Sequence, residues 1–442
     1  MKTTDNERKI KFTRGVSSLT NVEKDFLFHR STSSDDEVRR TTSEIIKDVI
    51  KRGDLALLHL ATRLDRVSLS AIEVPREACR VALGLLDVGL RRAMERSVRN
   101  IETVQLAAMP VAHETESEPG IVIGRRPDPL DRVGVYAPGG RATYPSSVLM
   151  GAVPARVAGV REVVLCSPPG PDGLPSAAVL AAAELAGVDR VFALGGAGAV
   201  AAMAYGTETV PRVDRIVGPG NAYVAEAKLQ VAGVVAIDSP AGPSELLVIA
   251  DASADPSVIA NEVMAQAEHD PRAVVVTVAV GDGGVADRLL EAIMIAVPAQ
   301  SRRDIVAESL SSRGAVLEAA DMDEAVAFAN AFAPEHLLLA TADARAVLPR
   351  LRNAGTIFVG ETSSVAFGDY MTGANHVLPT GGLARSYSGL SVLDFIRWTT
   401  YQIIDADAAR RLAGDVATFA DAEGLSAHAA SARKWSVSGA GN

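Results

Sequence analysis

Four of the seven histidines stand beside acids, amides or glycines in the second half of the chain: His269, His336, His376 and His428. In NEVMAQAEHD, Gln266 and His269 are three apart on a helical pattern, so both side chains would leave one face and reach a single metal ion. A solvent-facing polar helix end has the same spacing. FAPEHLLLA sets Glu335 and His336 after Pro334, which disfavours helix at Ala333 and makes the pair the start of an apolar strand. Adjacent residues there point apart, which suits two separate proton-transfer duties, although an ordinary polar strand start looks alike. FGDYMTGANHVLPTGG follows the strand pattern GTIFVG, which puts Asp369 and His376 on a glycine-rich loop at a strand's carboxyl end, where open α/β sheets place ligands. An Asx turn that only shapes the loop is the alternative. In FADAEGLSAHAASARKW, Gly424 closes one helix and Ser426 caps the next, so Glu423 and His428 flank a tight corner. His428 alone also fits a helix surface. His29, His59 and His113 lie in the helical or linker N-terminal part, with no acidic or polar cluster that suggests a site.

Two glycine-bearing turns suit a nucleotide. Gly196-Ala-Gly198-Ala-Val-Ala201 follows the strand DRVFAL in a G-x-G-x-x-A pattern. Gly218-Pro-Gly220-Asn221 follows VDRIV and opens a helix whose N-terminal amides favour phosphate. Both also serve as plain strand-to-helix turns. Cys166 ends a strand and raises the thought of a thiohemiacetal route, but no other candidate residue is near it in sequence.

The elements that must position these residues are legible as texture. Residues 1–34 are polar and irregular, a terminal extension; Ser33-Ser34-Asp35-Asp36-Glu37 then cap a helix through Ile45, Ile46, Val49 and Ile50. Residues 35–125 form a helical part expected to pack with the domain at 239–385. From 126 to 238, β-branched runs (RVGVY, REVVLC, DRVFAL, VDRIV, VVAID) alternate with alanine-rich helices, the pattern of a parallel sheet with crossovers. A second run over 239–385 supplies SELLVIAD, AVVVTVAV, GAVLEA, HLLLA and GTIFVG. Ten strands strain one open sheet, so the expectation is two doubly wound, Rossmann-like α/β domains. Residues 386–442 read as a small helical C-terminal segment.

At 442 residues with 48% hydrophobic and 22% charged content, the chain has the apolar material for two cores. A dispersed net charge of −10 argues against nucleic acid as a partner. The charged N-terminus lacks the apolar core of a signal peptide, and no stretch of about 18 apolar residues exists to span a membrane. Two isolated cysteines make neither a disulfide framework nor a thiolate zinc site. A cytoplasmic enzyme is the expectation.

VGVYAPGG, TYPSSVLMGAVPARVAGV, GPGNAYVAEAK, DSPAGPSELLVIAD, QAEH, FAPEHL, GDYMTGANHVLPT and AEGLSAH, collinear from about Asp35 to His428, strongly resemble the histidinol dehydrogenase family. The resemblance implies one zinc ion per subunit held by Gln266, His269, Asp369 and His428, with Glu335 and His336 as the catalytic pair. It implies substrate contacts from Ser244, His376 and Glu423 besides those zinc ligands and His336, and NAD contacts at Tyr136 and Asn221. A third NAD contact is commonly Gln in that family; Gly198 stands there, and a Gln restored at 198 is expected to regain it. The implied reaction is a four-electron oxidation of L-histidinol through the aldehyde to L-histidine, at the end of histidine biosynthesis. The implied assembly is a homodimer in which the C-terminal segment carries His428 and Glu423 into the other subunit's site. Other readings are a related zinc dehydrogenase of another small diol, such as a sulfonated propanediol, and a zinc hydrolase in which Glu335 activates water.

Overall fold

The computed structural model describes residues 10–30, 36–139, 143–281 and 283–436. The capping residues before Asp36 and the last glycine of GVYAPGG lie outside them. The chain divides into two compact units, one of Met1–Ala108 with Leu130–Phe395, the other of Met109–Pro129 with Ile396–Asn442.

The larger unit holds two six-stranded sheets. One is ordered Glu73–Val74, Arg190–Ala193, Glu162–Ser167, Arg132–Tyr136, Arg215–Val217, Ala236–Ile237, parallel except for its first short strand. The other is ordered Phe12–Gly15, Gly314–Ala319, Val274–Val280, Glu245–Ala250, His336–Ala340, Thr356–Val359, parallel throughout. Each thus carries the doubly wound order, with its reversal beside the first strand of the run. The α/β expectation and its ten strands match. Helices cover both faces, so strands such as Glu245–Ala250 are buried at every residue, which is why they read as apolar runs, here unbroken after Glu245.

Three boundaries differ from expectation. The polar extension is no appendage: Phe12–Gly15 pairs in parallel with Gly314–Ala319, and Phe12, Val16, Leu19 and Leu27 are buried in the second sheet's core. Sparse apolar residues in a charged context hid it. The helical part packs mainly on the first sheet's helices, and its tie to 239–385 is a narrow one, the Asn100 side chain donating to the Met371 carbonyl at 2.6 Å. Ile45, Ile46, Val49, Leu57 and Leu60 share one core with Ala197, Val200, Met203 and Val224, because the alanine-rich helices Gly196–Tyr205 and Ala222–Val231 leave a shallow surface for those larger side chains. Residues 109–129 leave that part altogether. The C-terminal segment is also not wholly helical: Ile396–Ile404 is a strand, antiparallel to Ile121–Pro129, which pairs in turn with His113–Glu118. Together with the helices Ala406–Ala422 and Ser426–Arg433, these strands make the smaller unit. No helix of the described residues is long and apolar enough to cross a membrane.

Candidate active site

Glu245–Ala250 and His336–Ala340 are neighbours at the reversal point of the second sheet, with Leu246 opposite His336. The preceding helix, Met322–Phe332, ends at Ala333 in the left-handed region (φ 52°, ψ 66°) before Pro334. Such a conformation costs a non-glycine residue about 1–3 kcal/mol, strain stored beside the pair that follows it. His336 Nδ1 lies 3.0 Å from the carbonyl oxygen of Glu245. A carbonyl only accepts, so Nδ1 carries a proton and Nε2 is the ring atom left to gain or lose one. That atom is buried, has no hydrogen-bond partner among the described residues, and stands 3.6 Å from Asp369 Oδ1.

Glu335 is equally enclosed: it is 5% exposed and His336 4%. The Glu245 backbone N–H donates to its Oε2 at 2.7 Å, and the same oxygen lies 3.5 Å from His336 Nδ1. Burial pushes the Glu335 carboxyl up to about 8, with His336 and the backbone N–H only partly opposing. For His336 burial works against the charge, but Glu335 and Asp369 outweigh it and raise the imidazole to about 9.

His269 and Asp369 come within electrostatic reach of each other and of His336, and Gln266 lies on the turn just before His269. Pro256–Ala267 leaves the carboxyl end of Glu245–Ala250 and returns toward its amino end, bringing Gln266 to its last turn and His269 just past it. Glu262 on that helix accepts from the Val365 N–H at 3.0 Å and so ties down the start of Val365–Tyr370, which carries Asp369. His376 Nδ1 is 2.9 Å from the Asp369 carbonyl, and the Asn375 side chain donates to the Met150 carbonyl at 2.8 Å. The site therefore lies at the amino edge of the second sheet, not at a carboxyl end as the loop after GTIFVG suggested. The short helix carries the chain back before Asp369 is reached.

Burial lowers the pKa of His269 and of His376 despite the nearby Asp369, which keeps both imidazoles neutral. Burial would raise the Asp369 pKa, but the adjoining His336 outweighs it and lowers it, which keeps Asp369 a carboxylate. Gln266 Nε2 is buried without a hydrogen-bond partner among the described residues, so the amide serves no internal bond through that atom. A neutral imidazole, a carboxylate and such an amide fit zinc chemically. Among the described residues no three His, Cys, Asp or Glu side chains form a ready ligand cluster, so the set needs the amide and a further donor. Ser244 adjoins Glu245 and is half-buried.

His428 and Glu423 belong to the smaller unit, both exposed at the corner between Ala406–Ala422 and Ser426–Arg433. Gly424 makes that corner in the left-handed region (φ 74°), but Ser426 is the first helical residue rather than the cap, which is Leu425.

At the carboxyl edge of the first sheet the nucleotide-type turns do converge. The Tyr136 hydroxyl accepts from the Gly196 N–H at 3.1 Å, and burial pushes it up to about 12. Asn221 caps Ala222–Val231, its Oδ1 accepting from Tyr223 and Val224, which leaves Nδ2 as its donor. Gly218 is held by a buried Lys228–Asp238 ion pair: its N–H donates to Asp238 and its carbonyl accepts from Lys228. Gly198 is buried, and a Cβ there would meet Leu60 Cδ1 at 2.8 Å, so a side chain at 198 starts into the core beneath the helix. Cys166 lies fully buried in its strand with its thiol pushed up by burial, and its position offers no nucleophile. Sequence reasoning passed over Glu245, Glu262, Lys228, Asp238 and Arg30. Their only signal was a charge inside or beside an apolar run.

The family model described as histidinol dehydrogenase matches residues 28–435. A histidinol dehydrogenase from Methanothermobacter thermautotrophicus is 47% identical over 92% of this chain and 96% of its own length. One from Methanosarcina barkeri is 44% identical over 94% and 95%. The crystal structure of histidinol dehydrogenase from Elizabethkingia anophelis superposes with a TM-score of 0.91 at 32% identity, covering 97% of this chain and 98% of that one.

Proposed function

The chain belongs to the histidinol dehydrogenase family, oxidoreductases, and from that premise we propose that it oxidises L-histidinol through the aldehyde to L-histidine in the cytoplasm. The observation that carries this reading is the placing of His336: with Nδ1–H committed to the Glu245 carbonyl, Nε2 is the buried ring atom left to take up and release a proton. Gln266, His269 and Asp369, completed by His428 of a second copy of the chain, would hold zinc. Tyr136, Asn221 and the main chain at Gly196–Gly198 would hold NAD. When bound, zinc supplies a template for the imidazole and amine of the substrate and NAD supplies the hydride acceptor.

His336 Nε2 takes the hydroxyl proton in the first oxidation and a proton of the hydrated aldehyde in the second. Glu335 takes a proton from the water that adds to the aldehyde. Its raised pKa suits a group that must release that proton again near working pH. Ser244, His376 and, from the second copy, Glu423 fix the substrate's polar ends, and the burial around the pair keeps out bulk water. The test is NADH yield on adding histidinol to the zinc-loaded protein: two per substrate is expected. None, or a hydrolytic product without NADH, overturns the assignment, and one would stop the reaction at the aldehyde.

A further inference from the structure

We propose that Arg30, on the N-terminal segment, is a positioning residue that sets Glu335 and His336 by clamping Glu245. This rests on the reading of those two as the proton-transfer pair. Arg30 is 6% exposed although its nearest helix, Asn21–Phe28, buries only Leu27. Its Nε donates to Glu245 Oε1 at 2.7 Å and its Nη2 to Oε2 at 3.0 Å, a two-pronged bond between buried groups. Nη1 donates to the Leu27 carbonyl at 2.6 Å and Nη2 also to the Phe332 carbonyl at 2.9 Å, with the guanidinium 3.6 Å from the Phe332 ring centre.

Both routes from Arg30 end on the pair. Through Glu245 it fixes the residue whose N–H holds the Glu335 carboxyl and whose carbonyl holds the His336 ring. Through Phe332 it fixes the helix end that leads into Ala333, Pro334 and Glu335. Glu245 Oε1 also accepts from the Gly381 N–H at 2.8 Å, and the adjoining Thr380 hydroxyl accepts from the Gly242 N–H at 2.6 Å, so the turn leading to Ser244 is tied to the same clamp. Arginine is required because the arrangement uses a planar fork, two further donors and a flat face on a ring, which an ammonium lacks. Glu245 and Glu335 are neighbouring buried carboxyls, and the guanidinium is the cation that balances the first.

Arg30→Lys keeps the charge and loses the fork; Arg30→Ala opens a guanidinium-sized space. In full-length, zinc-loaded enzyme, Arg30→Lys should lower kcat at least tenfold per zinc-loaded chain, since small misplacements of catalytic groups have effects of about a hundredfold. Bound zinc should stay within about twofold, because its ligands sit on other elements, and any rise in KM for histidinol through Ser244 should be smaller than the loss in kcat. Guanidinium at non-denaturing concentration should raise kcat of Arg30→Ala several-fold, and methylammonium should not. An unchanged kcat in Arg30→Lys overturns the proposal, as does a loss that merely tracks folded fraction or zinc content. Should both arginine variants fail to fold, Glu245→Gln gives the same readout, with reduced kcat expected and wild-type kcat overturning. His336→Asn run in parallel separates the two levels. If it keeps wild-type turnover the reading of the pair fails, whereas an inactive His336→Asn beside a wild-type Arg30→Lys sinks the clamp alone.

Discussion

An asparagine at position 336 can still donate to the Glu245 carbonyl but has no lone pair of comparable basicity to offer at the place of Nε2. His336→Asn should therefore depress oxidation of both histidinol and the aldehyde by two or more orders of magnitude, in line with general-base losses of about 10²–10⁴. Glu335→Gln keeps its bond from the Glu245 N–H and should weigh more on the aldehyde step, where water must be activated. Supplying the aldehyde directly measures the difference, and equal losses on both substrates would refute the division of labour. Cys166 bears on the same chemistry from the negative side. Buried with a raised pKa, it should resist iodoacetamide at pH 8 in the native protein, and Cys166→Ala should keep at least half of wild-type turnover; abolished turnover would restore a thiol route. At this scale Gln266, His269, Glu335, His336, Asp369 and His376 were visible because each sits in a polar block against an apolar background. Arg30 and Glu245 were not, since their bond joins positions 215 residues apart and leaves no periodic trace.

The strands were legible for a physical reason: burial on both faces forces runs of Val, Ile, Leu and Ala, as in 246–250 and, apart from Thr277, in Val274–Val280. Phe12–Gly15 was missed as a short edge strand with one buried residue at Phe12, and Ile396–Ile404 because most of its residues are exposed. The amino-edge position of the site was also illegible, since nothing in GDYMTGANHVLP records that Val365–Tyr370 reverses the chain. Packing of the helix Gly196–Tyr205 alters one expectation. A side chain at 198 meets Leu60 at 2.8 Å and Leu57 at 3.6 Å, so Gly198→Gln should act as overpacking. We expect about 1–3 kcal/mol of lost stability, seen as a lower melting temperature, with no gain in KM for NAD. A lower KM at unchanged melting temperature would show that the glutamine escapes the core and reaches the cofactor.

For the molecule as a whole, the division into two units places Gln266, His269 and Asp369 in one and Glu423 and His428 in the other. The proposed exchange between subunits has a counting test. Mix His428→Ala with Asp369→Ala, each inactive alone, and allow protomers to reassort. Crossed dimers hold one complete site and one doubly defective site, so activity should return to roughly a quarter of wild type; none, despite proven exchange, would refute the swap. The path of the chain has a further consequence, in time rather than space. Phe12 pairs with Ala315, so at about 5–20 residues per second the ribosome releases this strand on the order of tens of seconds before its neighbour exists. Arg30 likewise waits for Glu245 and then Phe332. The part made first is thus among the last to dock, and a nascent chain with both sheets begun still lacks the clamp on its two proton carriers until its own beginning folds home.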